Sequence, residues 1–230
     1  MRALSSDPLF GLFITITMYV LFKKLYLKTG KIYLQPVITA SAAIIIILYI
    51  SGISVDSYMK GGGIIFAFLP LATLFLSVPL YLKLASVRKY LTVMIISIVL
   101  GSASGIAAVV WLGRMMDIPF DIYISFVPKS VTMPLAVGIA EKIGGLKELA
   151  AAGVVFTGMT GLFIADLMFK IFRIKNPAAK GLALGTSAHI LGTGRAVEMG
   201  MLEGSVSSMA MVIAGIITAV ITPLILAFII

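Results

Sequence analysis

The 230-residue chain has no cysteine and only one histidine and one tryptophan. Without cysteine there is no disulfide framework, thiolate metal site, iron–sulfur cluster or cysteine nucleophile. A lone histidine cannot build an ordinary zinc site either, so no metal and no cofactor is expected. Charge is scarce: Asp, Glu, Lys and Arg make up 12% of the residues, about half the share of a soluble domain. Enzyme signatures are also missing. Gly192-Thr193-Gly194 lacks the third glycine of a dinucleotide fingerprint, Val197 standing in its place, and there is no Walker motif or nucleophile elbow. The chain is not expected to be an enzyme.

What is present is apolar. Hydrophobic residues make up 60% of the chain and the mean hydropathy is +1.15, which excludes a water-soluble globule. At about 20 residues per helical crossing there is room for roughly eight segments. The net charge of +9 comes from 18 basic and 9 acidic residues. The basic residues lie between apolar runs, so they mark topology and do not suggest nucleic acid as a partner.

The clearest spans run over Pro8 to Leu25, Pro36 to Ile53, Gly62 to Leu82, Leu91 to Leu112, Leu149 to Phe169 and Ser205 to Ile230. The first is expected to stay as an anchor, because only Arg2 precedes it and Lys23, Lys24, Lys28 and Lys31 follow. Ile122 to Ala140 holds Pro128, Lys129 and Pro134, and Ala178 to Gly200 holds Gly181, Gly185, Gly192 and Gly194. Proline removes a helical hydrogen bond and glycine is a poor helix former, so both stretches should be broken or re-entrant. Pro70 and Pro79 suggest a similar interruption. The loops Lys23 to Lys31, Lys83 to Lys89 and Lys170 to Lys180 are basic; if all are cytoplasmic, Ile122 to Ala140 fails to cross and the amino terminus lies outside. An apolar span, an interrupted one and an uninterrupted one recur in order, predicting a repeat with halves 1–115 and 120–230 inside one integral membrane domain, 1–230.

Two constellations could carry chemistry. In Phe126-Val127-Pro128-Lys129-Ser130-Val131-Thr132-Met133-Pro134 a cation sits between two prolines of an apolar segment. A buried ammonium should face a cavity or a partner such as an anionic substrate, with Ser130 and Thr132 as donors and a half-helix from Pro134 aiming its positive end there. The alternative is a lysine snorkelling to the headgroups. The second, Gly185 to Glu198, holds Thr186, His189, Thr193 and Arg195. A break at Gly192 or Gly194 would bring His189 and Arg195 together, the arginine for bidentate carboxylate binding and the histidine for proton coupling. Alternatively, Arg195 pairs with Glu198 at i,i+3 and His189 satisfies a buried carbonyl. Glu203 suits the start of the last helix, Asp166 suits an i,i+4 pair with Lys170, and the pairs Gly101/Gly105 and Gly181/Gly185 suit close helix packing.

Pro128-Lys129-Ser130-Val131-Thr132, Val155-Phe156-Thr157-Gly158, Gly192-Thr193-Gly194-Arg195 and Glu203-Gly204-Ser205 together closely resemble the LrgB/CidB family of bacterial membrane proteins. The resemblance is strongest from Pro128 to Thr218, and Val78-Pro79-Leu80-Tyr81 extends it. Met133 stands where the family usually has a second threonine, and Ala188 where it has a serine before the histidine; Ser187 lies one place earlier. The resemblance implies one of two roles. Some members are antiholin-like or holin-like modulators of murein hydrolase activity and autolysis, working with a small LrgA/CidA-type membrane partner. Others resemble carriers of small monocarboxylates such as pyruvate, glycolate, glycerate or lactate, including a plastidal glycolate/glycerate translocator.

A simple pore needs no buried Lys, His and Arg, whereas a carboxylate carrier does. The expectation is therefore an all-α polytopic protein of the bacterial cytoplasmic membrane, with about 6–8 segments. It would carry monocarboxylates by alternating access, with or without proton coupling. Lys129, Ser130, Thr132, Thr186, His189, Thr193 and Arg195 would bind substrate, and Pro128, Pro134, Gly192, Gly194, Glu198 and Glu203 would support or couple. The expected partners are the bilayer, a holin-like protein and, on base rates for symmetric assemblies, a second copy.

Overall fold

The computed structural model describes residues 8–68, 71, 88 and 90–229, and among these every regular element is helical. The chain divides into two compact units, residues 1–75 and 76–230. The sequence expectations for Pro70, Val78 to Tyr81, most of Lys83 to Lys89 and most of Gly62 to Leu82 lie outside the described residues. So does most of the interrupted member of the first repeat half.

In the first unit α1 (Pro8–Thr29) is followed by a short 3-10 turn, α2 (Pro36–Ser51) and α3 (Val55–Ala67). Pro36 starts α2, where its missing N–H costs nothing. Gly52 ends the helix at φ 63, so that the Ile53 N–H returns to the Leu48 carbonyl. Ile14, Ile44 and Leu48 form the core, and Thr15 meets the Tyr58 hydroxyl at 2.8 Å.

The second unit comprises α4 (Leu91–Met115), α5 (Phe120–Ser125), α6 (Met133–Lys142), α7 (Lys147–Ile171), α8 (Pro177–Met199) and α9 (Met201–Ile229). Among the described residues, α1, α4, α7 and α9 are the four helices long and apolar enough to cross a membrane. The sequence suggested more spans. At 16 residues α2 is shorter than the others, reaching about 24 Å against a hydrocarbon core of about 30 Å.

The helix α8 is not one rod. Ala188 (φ −121, ψ 15) and His189 (φ 41, ψ −126) are non-helical, and a Cβ on Gly192 would strike the Leu184 carbonyl. Eight residues along an unbroken helix lie about 12 Å apart, so residues 190–199 fold back along residues 177–187. The predicted break at Gly192 or Gly194 is thus corrected to Ala188–His189; Gly192 serves the close approach that follows it. The packing partners agree. Gly181 backs onto the Glu203 carbonyl and Gly185 onto that of Ser207, so the first half runs parallel to α9. Val197 meets Gly204 and Thr193 meets Ser207, so the second half runs antiparallel to it. Both ends of α8 therefore sit at the amino-terminal end of α9.

A second, shorter hairpin is built from α5, the turn Phe126 to Ser130, and α6. Ile124 and Val127 pack with Ile106, Val110 and Leu226, near the carboxyl-terminal ends of α4 and α9. The chain returns to the same place, where the Leu146 N–H donates to Ser125 Oγ at 2.7 Å. Ala178 instead packs with Met94 and Val206, near the opposite ends of those helices. The two hairpins enter the unit from opposite ends.

Candidate functional site

The hairpin tips converge on one stretch of α7. Gly153 faces Phe126 and the Lys129 Cβ, Gly158 faces the His189 ring, and Gly161 faces Ala188. Side chains at these three positions would hold the tips away. Proline shapes the first tip: Pro128 is fully buried, and Thr132 is extended (φ −66, ψ 148) ahead of a helix with proline in its first turn. The positive end of α6 therefore begins directly after the turn that carries Lys129.

Lys129 is partly buried, and its ammonium makes no hydrogen bond or ion pair among the described residues. It lines a cavity of about 790 Å³ together with Ser130, with Thr186 and Ser187 from the first half of α8, and with Thr157 of α7. Ser97, Ser102 and Ser104 of α4 and Thr218 of α9 add hydroxyls to the wall. Lys129 is the one charged residue among the described lining. The hydroxyls of Thr186 and Ser187 donate back to Leu182 and Ala183 at 2.8 and 2.7 Å. Those of Ser130 and Thr157 make no such bond among the described residues, which leaves them free to donate to a ligand.

The remaining predicted residues lie elsewhere. The His189 ring is buried at 2% exposure, and its Nε2–H donates to the Val154 carbonyl at 2.9 Å. A carbonyl can only accept, so this bond fixes the proton on Nε2 and pins the hairpin tip to α7. Nδ1 is buried and has no partner among the described residues. Thr193 is buried against α9, with its hydroxyl 2.9 Å from Ser207 Oγ. Thr132 precedes α6 without a side-chain cap bond.

Arg195 bridges Glu198 at 2.9 Å and Asp166 of α7 at 2.7 Å, and does not line the cavity. The structure does not bring it to Lys129 or to the His189 break. Asp166 pairs with this arginine, not with Lys170 as its i,i+4 spacing suggested. Glu203 sits in the first turn of α9 beside Gly200, where a carboxylate favours the helix dipole. Of the glycines, Gly194 faces open space, and Gly101 approaches Thr186 while Gly105 approaches nothing.

Thr157, Ser187, Thr218 and the α4 serines were not singled out as binding residues by the sequence. The usable signal for Thr157 was its place among Gly153, Gly158 and Gly161, small residues along the apolar α7.

A family model described as LrgB-like family matches residues 15–228, and the chain belongs to that family. A protein of Bacillus subtilis (strain 168), YwbG, is 33% identical over 218 residues, covering 95% of this chain and 97% of its own length. No solved structure matches.

Proposed function

We propose, with membership of the LrgB-like family as the premise, that this membrane protein carries small monocarboxylates across the cytoplasmic membrane by alternating access. The observation that carries this reading is the Lys129 ammonium, unpaired among the described residues, in a hydroxyl-lined cavity between two opposed hairpins. Thr157 lies ten residues into α7, about 15 Å along a helix that has to cover a core of about 30 Å. At that depth an uncompensated ammonium is costly, and a mobile carboxylate removes the cost. Because Arg195 is already matched by Asp166 and Glu198, the cavity presents a single positive charge, which suits a monoanion.

Discontinuous helices meeting near mid-membrane are the usual setting for a carrier's site. In this reading Lys129 neutralises the carboxylate, Ser130 and Thr157 donate to it, and Thr186 and Ser187 line the opposite wall. Movement of one hairpin against α7 then exposes the site to alternate sides. The basic residues Lys170, Arg173, Lys175 and Lys180 support an orientation with the open end of α8 in the cytoplasm, in which its hairpin dips from inside and that of Lys129 from outside. The shorter α2 and the hairpins bring the membrane segments to about 6–8. A small holin-like partner and a second copy belong to the same proposal, and no enzymatic step does.

The test is counterflow of labelled pyruvate, glycolate and lactate into liposomes holding the purified protein, with and without a holin-like partner. Saturable exchange that is lost in Lys129→Gln supports the reading. Folded protein that exchanges none of these acids overturns it and moves weight to modulation of autolysis through protein contacts or pore assembly.

A further inference from the structure

A second space opens from the same lysine. A groove of about 400 Å³ shares Lys129, Thr157, Ala183 and Ser187 with the larger cavity. It then follows α7 past Ile164 and Met168 to Phe169. Thr157, Gly161, Ile164/Ala165 and Met168 recur at helical spacing on one face of α7, so from Thr157 to Phe169 the groove extends about 18 Å. Its polar groups gather at one end. Away from Lys129, Thr157 and Ser187, the hydroxyl on its wall is that of Thr160, which donates to the Phe156 carbonyl at 2.7 Å. Phe156 and Ile164 are exposed on the groove wall, at 68% and 42%.

A three-carbon acid held at Lys129 makes no use of such a groove. We propose that the site takes amphipathic monocarboxylates, with the carboxylate at Lys129 and an aliphatic tail lying along α7 between Thr157 and Phe169. This inference rests on the carrier reading for the placement of the carboxylate, and it extends the substrate class from small acids to acids with an apolar chain. Charge and depth select the occupant. One unpaired ammonium matches one carboxylate, and it lies near the middle of α7, far below the level of phospholipid headgroups. The wall itself is aliphatic and aromatic, with no cation or acid beyond Lys129 among its described residues.

The experiment is equilibrium binding of radiolabelled octanoate to the protein in lipid nanodiscs, with Lys129→Gln nanodiscs as the background for partition into lipid. Acetate, butyrate, hexanoate and decanoate serve as competitors. Burial of each methylene should tighten competition about fourfold until the groove is full. Thr160→Trp, at an exposed position on the wall, should flatten the dependence on chain length while leaving acetate competition unchanged. Equal competition by all chain lengths, or octanoate binding no greater than in Lys129→Gln, overturns the inference whatever counterflow shows. Chain-length-dependent binding without counterflow would uphold the site and sink the carrier reading. Displacement of octanoate by anionic phospholipid, with none by free acids, would assign the groove to lipid and overturn the inference.

Discussion

Gly185→Ala tests the fold-back of α8 directly. A Cβ built at Gly185 lies 2.9 Å from the carbonyl carbon and Cα of Ser207 and closer still to its oxygen, whereas ordinary contact begins at 3.4 Å. The obstacle is backbone, so no rotamer change relieves it, and the first half of α8 has to move off α9 by roughly an ångström to clear the Ser207 oxygen. Alanine is also the better helix former, by about 0.8–1.0 kcal/mol, which would mask part of the penalty. Gly194→Ala supplies the correction: it lies in the second half of α8, gains the same propensity and meets nothing within 4 Å. The steric penalty is then the difference between the two variants, about 1–3 kcal/mol. For a chain of this size, at about 2–4 °C per kcal/mol, the two melting temperatures should differ by roughly 2–12 °C. The assay is thermal unfolding of each purified variant in the same detergent, followed by intrinsic fluorescence and by recovery of monodisperse protein on gel filtration. If Gly185→Ala melts as high as Gly194→Ala, the first half of α8 does not lie against α9 and the hairpin is wrong.

The absence of cysteine makes single-cysteine labelling of intact cells a clean topology assay. Lys175→Cys and Met201→Cys should react from one side and Lys142→Cys from the other; opposite-side labelling of the first two would mean that α8 crosses. Arg195→Gln breaks the bridges to Asp166 and Glu198 and should lower stability by about 1 kcal/mol. It should keep the counterflow KM within a few-fold of the parent, whereas Lys129→Gln abolishes exchange; equal loss in both variants would return Arg195 to the substrate. Thr193→Val leaves the Ser207 hydroxyl buried and unpaired at a cost of about 1–3 kcal/mol. Adding Ser207→Ala should recover part of that cost in a double-mutant cycle, and simple additivity would show that the pair is not coupled.

Hydropathy alone was enough to locate the long helices, because a crossing helix has to be apolar along its whole length whatever its neighbours do. Prolines at 128 and 134 marked the first interruption for a similarly local reason, since each removes a backbone donor wherever the chain goes. Lys129 stood out because a cation in such a segment needs a partner in any fold. The other interruption shows where local reasoning ends. Its glycines located the stretch but not the break, which falls at Ala188–His189. There a histidine accepts a positive φ while its ring is held by Val154, 35 residues earlier.

The fold-back, the opposed entry of the hairpins and the pairing of Arg195 with Asp166 all depend on contacts between residues distant in the chain. Sequence periodicity carries no record of these contacts. Thr157 became a wall of the cavity only because two tips converge on α7. The sequence therefore determined which segments are apolar, which are broken and which ionisable side chains, Lys129, His189 and Arg195, lie inside the broken ones. The tertiary structure decided which of these charges are already satisfied and which hydroxyls surround Lys129, because both depend on backbones approaching closely at glycines far apart in the chain.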